Sequence, residues 1–213
     1  MALIRPIDKV LIAGPTECGK TNLAKYLLGK SPSLRYLVYD TAGQFSNLPQ
    51  FYHFAAIDWK LKAISYLPRI EENGDRVGHF ERCCNLLRTR KNRILVADEL
   101  RSFVAVNSIP PGLFDLIKQG RHDGIGFMGL AQDLRGMDII MEQCQHLFVF
   151  ELAGKSALEK LDNTLPCLNK RGEKQLPSEA MATLEPYQFL WWPKAHPIRK
   201  KRFFVCNPCP KLN

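Results

Sequence analysis

Two short segments of this 213-residue chain hold residue types that work together in phosphate chemistry. The first is Gly14-Pro15-Thr16-Glu17-Cys18-Gly19-Lys20-Thr21, with Asn22 behind it, and it fits the pattern G-x-x-x-x-G-K-[ST] in full. Glycines at its two ends let the backbone curl until successive N–H groups point inward, a cradle for phosphate oxygens. A helix starting at the same place adds partial positive charge. Residues Gly14 to Asn22 are therefore candidate nucleotide-binding positions, with Lys20 reaching the β- and γ-phosphates and the Thr21 hydroxyl a ligand for Mg²⁺. The second segment is Ile94-Leu95-Val96-Ala97-Asp98-Glu99. An apolar strand ending in Asp carries that carboxylate to the sheet edge where such folds bind ligands, as a second Mg²⁺ ligand. Glu99, one residue on, has the chemistry to polarise an attacking water. Together the two segments predict Mg²⁺-dependent ATP hydrolysis.

A third segment competes for attention. Asp40-Thr41-Ala42-Gly43-Gln44 matches the switch motif of Ras-like GTPases, in which Gly senses the γ-phosphate and Gln orients water. It follows only 26 residues after Gly14, which leaves little room for a preceding switch loop. The guanine-specifying N-K-x-D element is also missing, because Asn169-Lys170-Arg171-Gly172 ends in Gly. Glu99 has no place in that scheme either. A small-molecule kinase would need an arginine-rich lid, and no obvious one is present.

The elements that must position these residues follow from hydrophobic patterning. Lys9–Ala13, Arg35–Asp40, Ala63–Leu67, Ile94–Ala97, Gly124–Ala131 and His146–Leu152 read as strands, several apolar on both faces as in a covered parallel sheet. Thr21–Gly29, Val77–Arg90, Pro110–Gln119 and Ser156–Leu165 read as helices. Tyr187–Trp191 and Arg202–Val205 suit a terminal hairpin, with Pro193 and Pro197 in its connection. Strands alternating with helices predict an α/β fold: one mostly parallel sheet with helices on both faces. Residues 1–185 form the expected ATPase domain, and 186–213 a basic extension of it.

Composition sets outer limits. Hydrophobic content of 46% and charged content of 24% are ordinary for a globular domain. No apolar stretch approaches the roughly 18 residues of a membrane span, and MALIRPIDKV lacks the apolar core and cleavage site of a secretory signal. Seven scattered cysteines read as reduced thiols of a cytoplasmic protein. Cys206-Asn207-Pro208-Cys209 has metal-ligand spacing but no second pair, so a terminal turn is the default reading. The net charge of +9 is uneven: six cations and no carboxylate follow Pro186. Such a tail suits nucleic acid, an acidic surface or plain solvation. Arg88, Arg90, Lys91 and Arg93 make a second basic cluster, and Trp191-Trp192 suit a core.

The order GPTECGKT, ILVADE, GRHDGIGFMGLAQ, a polar helix and HLFVFEL resembles the HerA/FtsK superfamily of DNA-pumping, RecA/FtsK-like P-loop NTPases. Within it the chain looks most like the small genome-packaging ATPases of membrane-containing icosahedral viruses. The matching motifs run from about residue 9 to 152, and the Gly120-Arg121-His122 to Ala131-Gln132 segment discriminates best. The resemblance implies that Gln132 senses the γ-phosphate and that the protein forms a homo-oligomeric ring, commonly a hexamer. An arginine from one subunit would then complete the neighbour's site. Arg121 is the candidate from its segment, with Arg135 and Arg101 as rivals. It further implies viral genomic DNA as cargo, capsid or membrane proteins at a packaging vertex as partners, and residence in host cytoplasm and virion. The alternative is a Zot-like assembly or secretion factor that moves protein rather than DNA.

Overall fold

Near-continuous apolar runs must be covered on both faces, and the sheet centre is built from such runs. The computed structural model describes residues 4–69, 74–105, 108–152, 154–165, 175–193 and 203–207. In chain order its elements are β1 (Lys9–Ala13), α1 (Lys20–Gly29), β2 (Tyr36–Tyr39), β3 (Gln50–Phe51), β4 (Ala63–Tyr66), α2 (Arg76–Arg88), β5 (Ile94–Ala97) and α3 (Pro111–Gln119). They continue with β6 (Gly126–Ala131), α4 (Asp138–Gln143), β7 (His146–Phe150), α5 (Lys155–Thr164), α6 (Pro177–Met181), β8 (Phe189–Pro193) and β9 (Phe204–Cys206). The strands form one sheet in the order β3-β4-β2-β5-β6-β1-β7-β8-β9. Pairing is parallel from β3 to β7 and antiparallel for β8 and β9.

Every residue of β1, β5, β6 and β7 is buried. Alternate side chains go to opposite faces. Leu11, Leu37, Leu95 and Phe127 join a core with Phe80 and Leu87 of α2 and Leu113, Leu116 and Ile117 of α3. Val10, Ile12, Val38, Val96 and Met128 join a second core with Leu23 and Leu27 of α1. Helices thus cover both faces, and each buried Leu or Ile contributes about 1.5–3 kcal/mol. The two tandem cysteines, Cys83 and Cys84, are core residues of α2, and burial pushes both thiols up.

Register decides what the sheet does. Ala13 pairs with Ala131, Tyr39 with Ala97, and Ala97 with Gly129. The C-terminal ends of β1, β2, β5 and β6 therefore share one rim. Gly14, Asp40, Asp98 and Gln132, the residues that follow them, all emerge there. The terminal hairpin differs from the sequence reading at one point. Pro193 lies inside β8, opposite His146, instead of in the connection. At the last position of a strand its missing N–H costs little. Lys194 to Arg202, Cys167, His196 and Cys209 lie outside the described residues, as do all six cations of the basic tail.

Candidate active site

The loop after β1 turns on two left-handed glycines, and Gly19 (φ 105°) leads directly into α1. A Cβ at Gly14 would come within 2.6 Å of the Phe150 Cβ and 2.7 Å of the Cys18 sulfur, so the loop folds tightly on the β7 end. Cys18 packs behind the loop against the α1-side core, and burial raises its thiol pKa. Lys20 lies across the loop, its Nζ donating to the carbonyls of Gly14 (2.8 Å) and Pro15 (2.6 Å). Thr16, Glu17, Gly19, Lys20, Thr21 and Asn22 face one cleft of about 590 Å³. Gly14, Pro15 and Cys18 do not line it.

Asp98 and Glu99 reach the same cleft from the end of β5. Asp98 is 5% exposed, and its Oδ2 makes no hydrogen bond to a described residue. Burial, then Asp40 and Glu99, pushes its pKa up to about 6, against the pull of Lys20 and Lys25. Glu99 sits in the left-handed region (φ 59°, ψ 65°), which costs a non-glycine residue on the order of 1 kcal/mol and is held by its surroundings. One of its oxygens, Oε2, accepts from Gln132 Nε2 at 2.8 Å. The other, Oε1, is buried without a partner among the described residues. Two under-satisfied carboxylate oxygens beside a threonine hydroxyl and a lysine are a hard-oxygen donor set, one that fits a magnesium–phosphate group. No cluster of three or more His, Cys, Asp or Glu able to cage a metal occurs among the described residues.

The Asp40–Gln44 segment, set aside above as a GTPase mark, belongs to this cleft. Thr41, Ala42 and Gln44 line it. Thr21 Oγ1 donates to Gln44 Oε1 at 2.5 Å. Asp40, 1% exposed, accepts from the backbone N–H groups of Gln44 and Phe45 (both 2.9 Å) and from Ser65 Oγ (3.2 Å). It therefore pins the turn that presents Gln44 to the phosphate loop. The sequence shows a strand ending in Asp before a Gly-Gln turn, but not the hydrogen bond that brings Gln44 to the phosphate loop.

Arg121 is not in the cleft. It is exposed in the turn before β6, and six strand residues, ~20 Å, separate that turn from Gln132. Arg101 and Arg135 lie on the cleft's own rim: Arg135 is ion-paired with Asp133 (2.6 Å), and Arg101 donates to the Arg135 carbonyl (3.2 Å).

No protein-family model and no curated protein matches the sequence. Solved structures do resemble it. The genome packaging NTPase B204 from Sulfolobus turreted icosahedral virus 2, solved with sulfate, superposes with a TM-score of 0.77 at 17% identity, covering 98% of this chain and all of that one. The same protein with AMPPCP gives 0.76 at 18% identity, covering 96% and 100%. The pCW3 conjugation coupling protein TcpA, with ATPγS, gives 0.59 at 14% identity over 92% of this chain and 59% of that one. The N-terminal domain of zonular occludens toxin from Neisseria meningitidis gives 0.51 at 14% identity over 96% of both. The chain thus has a P-loop NTPase fold of the kind its HerA/FtsK resemblance implies, an α/β sheet in which β6 carries Gln132 between the phosphate loop and the acidic pair.

Proposed function

We propose that this chain is the motor subunit of a homo-oligomeric ring, hexameric by its family resemblance, that hydrolyses ATP to drive viral DNA into a preformed capsid. The observation that carries the catalytic half is the convergence of three segments at one rim: the Lys20–Thr21 loop, the Asp98–Glu99 pair and the Gln132 amide bonded to Glu99. In this reading the loop amides and Lys20 bind the β- and γ-phosphates. Thr21 and Asp98 hold Mg²⁺, which when bound neutralises charge on the phosphate oxygens. Glu99 takes up the proton of the attacking water, and its left-handed backbone aims the carboxylate into the cleft. Gln132 couples Glu99 to the γ-phosphate position. Gln44, bonded to Thr21, is a second amide that orients the loop hydroxyl. Arg121, remote from its own cleft, serves a neighbour's site, where an arriving cation stabilises charge on the transferred phosphoryl group.

The DNA half draws support from the likeness to B204 along the whole of both chains and from the +9 net charge. On this reading the protein acts in host cytoplasm and at a virion vertex, against capsid or membrane proteins. The toxin-domain likeness favours a second reading, a nucleotide-driven assembly factor that moves protein. No helix among the described residues is long and apolar enough to cross a membrane. Steady-state ATP hydrolysis with and without duplex DNA separates the two. A DNA motor is stimulated several-fold by duplex; a rate indifferent to DNA at every concentration tested favours the protein-moving factor.

A further inference from the structure

The rim opposite the nucleotide cleft carries a cationic surface that the catalytic scheme does not use. Strands β4, β2 and β5 are adjacent and in register, Tyr36 pairing with both Ala63 and Ile94. The residues that enter them are Lys62, Arg35 and Arg93. With strands about 4.8 Å apart, these three roots span ~10 Å, over which one DNA strand presents about three phosphates at ~3.4 Å of axis each. Arg35 Nη2 donates to the Trp59 (2.8 Å) and Lys60 (3.1 Å) carbonyls, and Arg93 Nη2 to those of Trp59 and Leu61. The two guanidinium groups thereby fix the 59–61 turn and hold Lys60 beside the others. Arg90 and Arg93 both lie over the Trp59 ring, at 5.2 and 5.5 Å.

None of these five cations is ion-paired with a carboxylate among the described residues. The nearby Asp58 turns its oxygen to the Lys60 backbone N–H (2.9 Å). Arg93 is 2% exposed, and its Nη1 has no partner among the described residues. Burial first, then Arg35, pulls its pKa down to about 10. A protein does not gather like charge this way for stability; a polyanion laid across the rim would offset the repulsion. The one large apolar group, Trp59, is half-buried under arginine, which suits a polar backbone better than a lipid interior.

We infer that this rim, with Arg35, Lys60, Lys62 and Arg90 exposed around Trp59 and the buried Arg93 fixing the turn beneath them, binds the phosphate backbone of duplex DNA. The inference rests on the DNA-motor reading and assigns it a surface on the side of the sheet away from the nucleotide.

Binding of the full chain to a fluorescent duplex oligonucleotide, followed by anisotropy between about 50 and 200 mM salt, tests it. Each phosphate contact removed flattens the plot of log K against log salt by about 0.9. The triple variant Lys60→Ala/Lys62→Ala/Arg90→Ala should flatten it by about 2–3 and weaken binding at low salt at least tenfold. The charge-preserving variant Lys60→Arg/Lys62→Arg should keep the wild-type slope, which a loss of folding would not allow. Lys155→Ala, on exposed α5, should also keep it. Wild-type binding with an unchanged slope in the triple variant overturns this surface and leaves the motor reading standing. Absence of salt-dependent duplex binding by the wild type removes both. Loss of binding to phosphatidylglycerol vesicles alone, with duplex binding intact, would assign the rim to a membrane instead.

Discussion

Single residues in this molecule are tuned by what surrounds them, and the clearest case outside the cleft is Asp8. Burial alone would raise its pKa. Hydrogen bonds from His146 and from the Arg5 side chain and backbone outweigh that and hold it at about 2. A carboxylate whose folded-state pKa is depressed contributes stability above its unfolded value of about 3.9, and loses it as pH falls through the folded value. Asp8→Asn should therefore cost about 2 kcal/mol near neutrality, and the gap to wild type should narrow as pH drops from about 4 toward 2. Urea unfolding of both proteins at several pH values reads this out, and a pH-independent gap would show that packing, not charge, sets the loss. In the cleft the balance runs the other way: Asp98 is raised, kept near Asp40 and Glu99 at a cost to stability. Most of that site was legible from residue types, since Lys20, Thr21, Asp98 and Glu99 announce themselves by pattern. Gln44 was not, because a hydrogen bond to Thr21 across 23 residues leaves no periodic trace. Nor does any local pattern report that Glu99 is left-handed or that Asp40 is the hub of its turn.

At the scale of elements, the fold works by register. The cleft exists because four strand ends coincide on one rim, and at the opposite end a glycine lets the segment before β1 pass close to β6. A Cβ at Gly126 would come within 2.5 Å of the Pro6 carbonyl oxygen and 2.8 Å of that of Asp8, both backbone atoms that cannot step aside cheaply. Gly126→Ala should destabilise the protein by about 1–3 kcal/mol, measured as a lowered unfolding midpoint, and should do so without a change in nucleotide contacts. A midpoint equal to wild type would mean that the start of β6 is looser than its packing indicates. The strands and long helices could be read from sequence because burial on both faces leaves continuous apolar runs, as in β5 and β6, and one-sided burial leaves 3.6-residue spacing, as in α3. The short elements were harder. β3 is only two residues, and α6 is a five-residue turn behind Pro177. Neither is long enough to establish a period. The strand order, with β6 between β1 and β5, is a property of tertiary packing that patterning does not encode.

For the whole molecule, the sheet has two rims of contrasting character. One gathers the phosphate loop, the acidic pair and two amides; the other carries Arg35, Lys60, Lys62, Arg90 and Arg93, none ion-paired with a carboxylate among the described residues. Arg121, exposed in the turn before β6, stands ~20 Å of strand away from the cleft rim. On the proposed reading, such an arrangement would keep the nucleotide and the DNA on opposite rims of the sheet. All of it depends on the cleft being a hydrolytic nucleotide site. The most direct measurement compares wild type with Glu99→Gln for ATP binding and for single-turnover hydrolysis in the presence of Mg²⁺. Binding should be near wild type in the variant while hydrolysis slows at least about 100-fold; hydrolysis by Glu99→Gln at the wild-type rate would contradict the account.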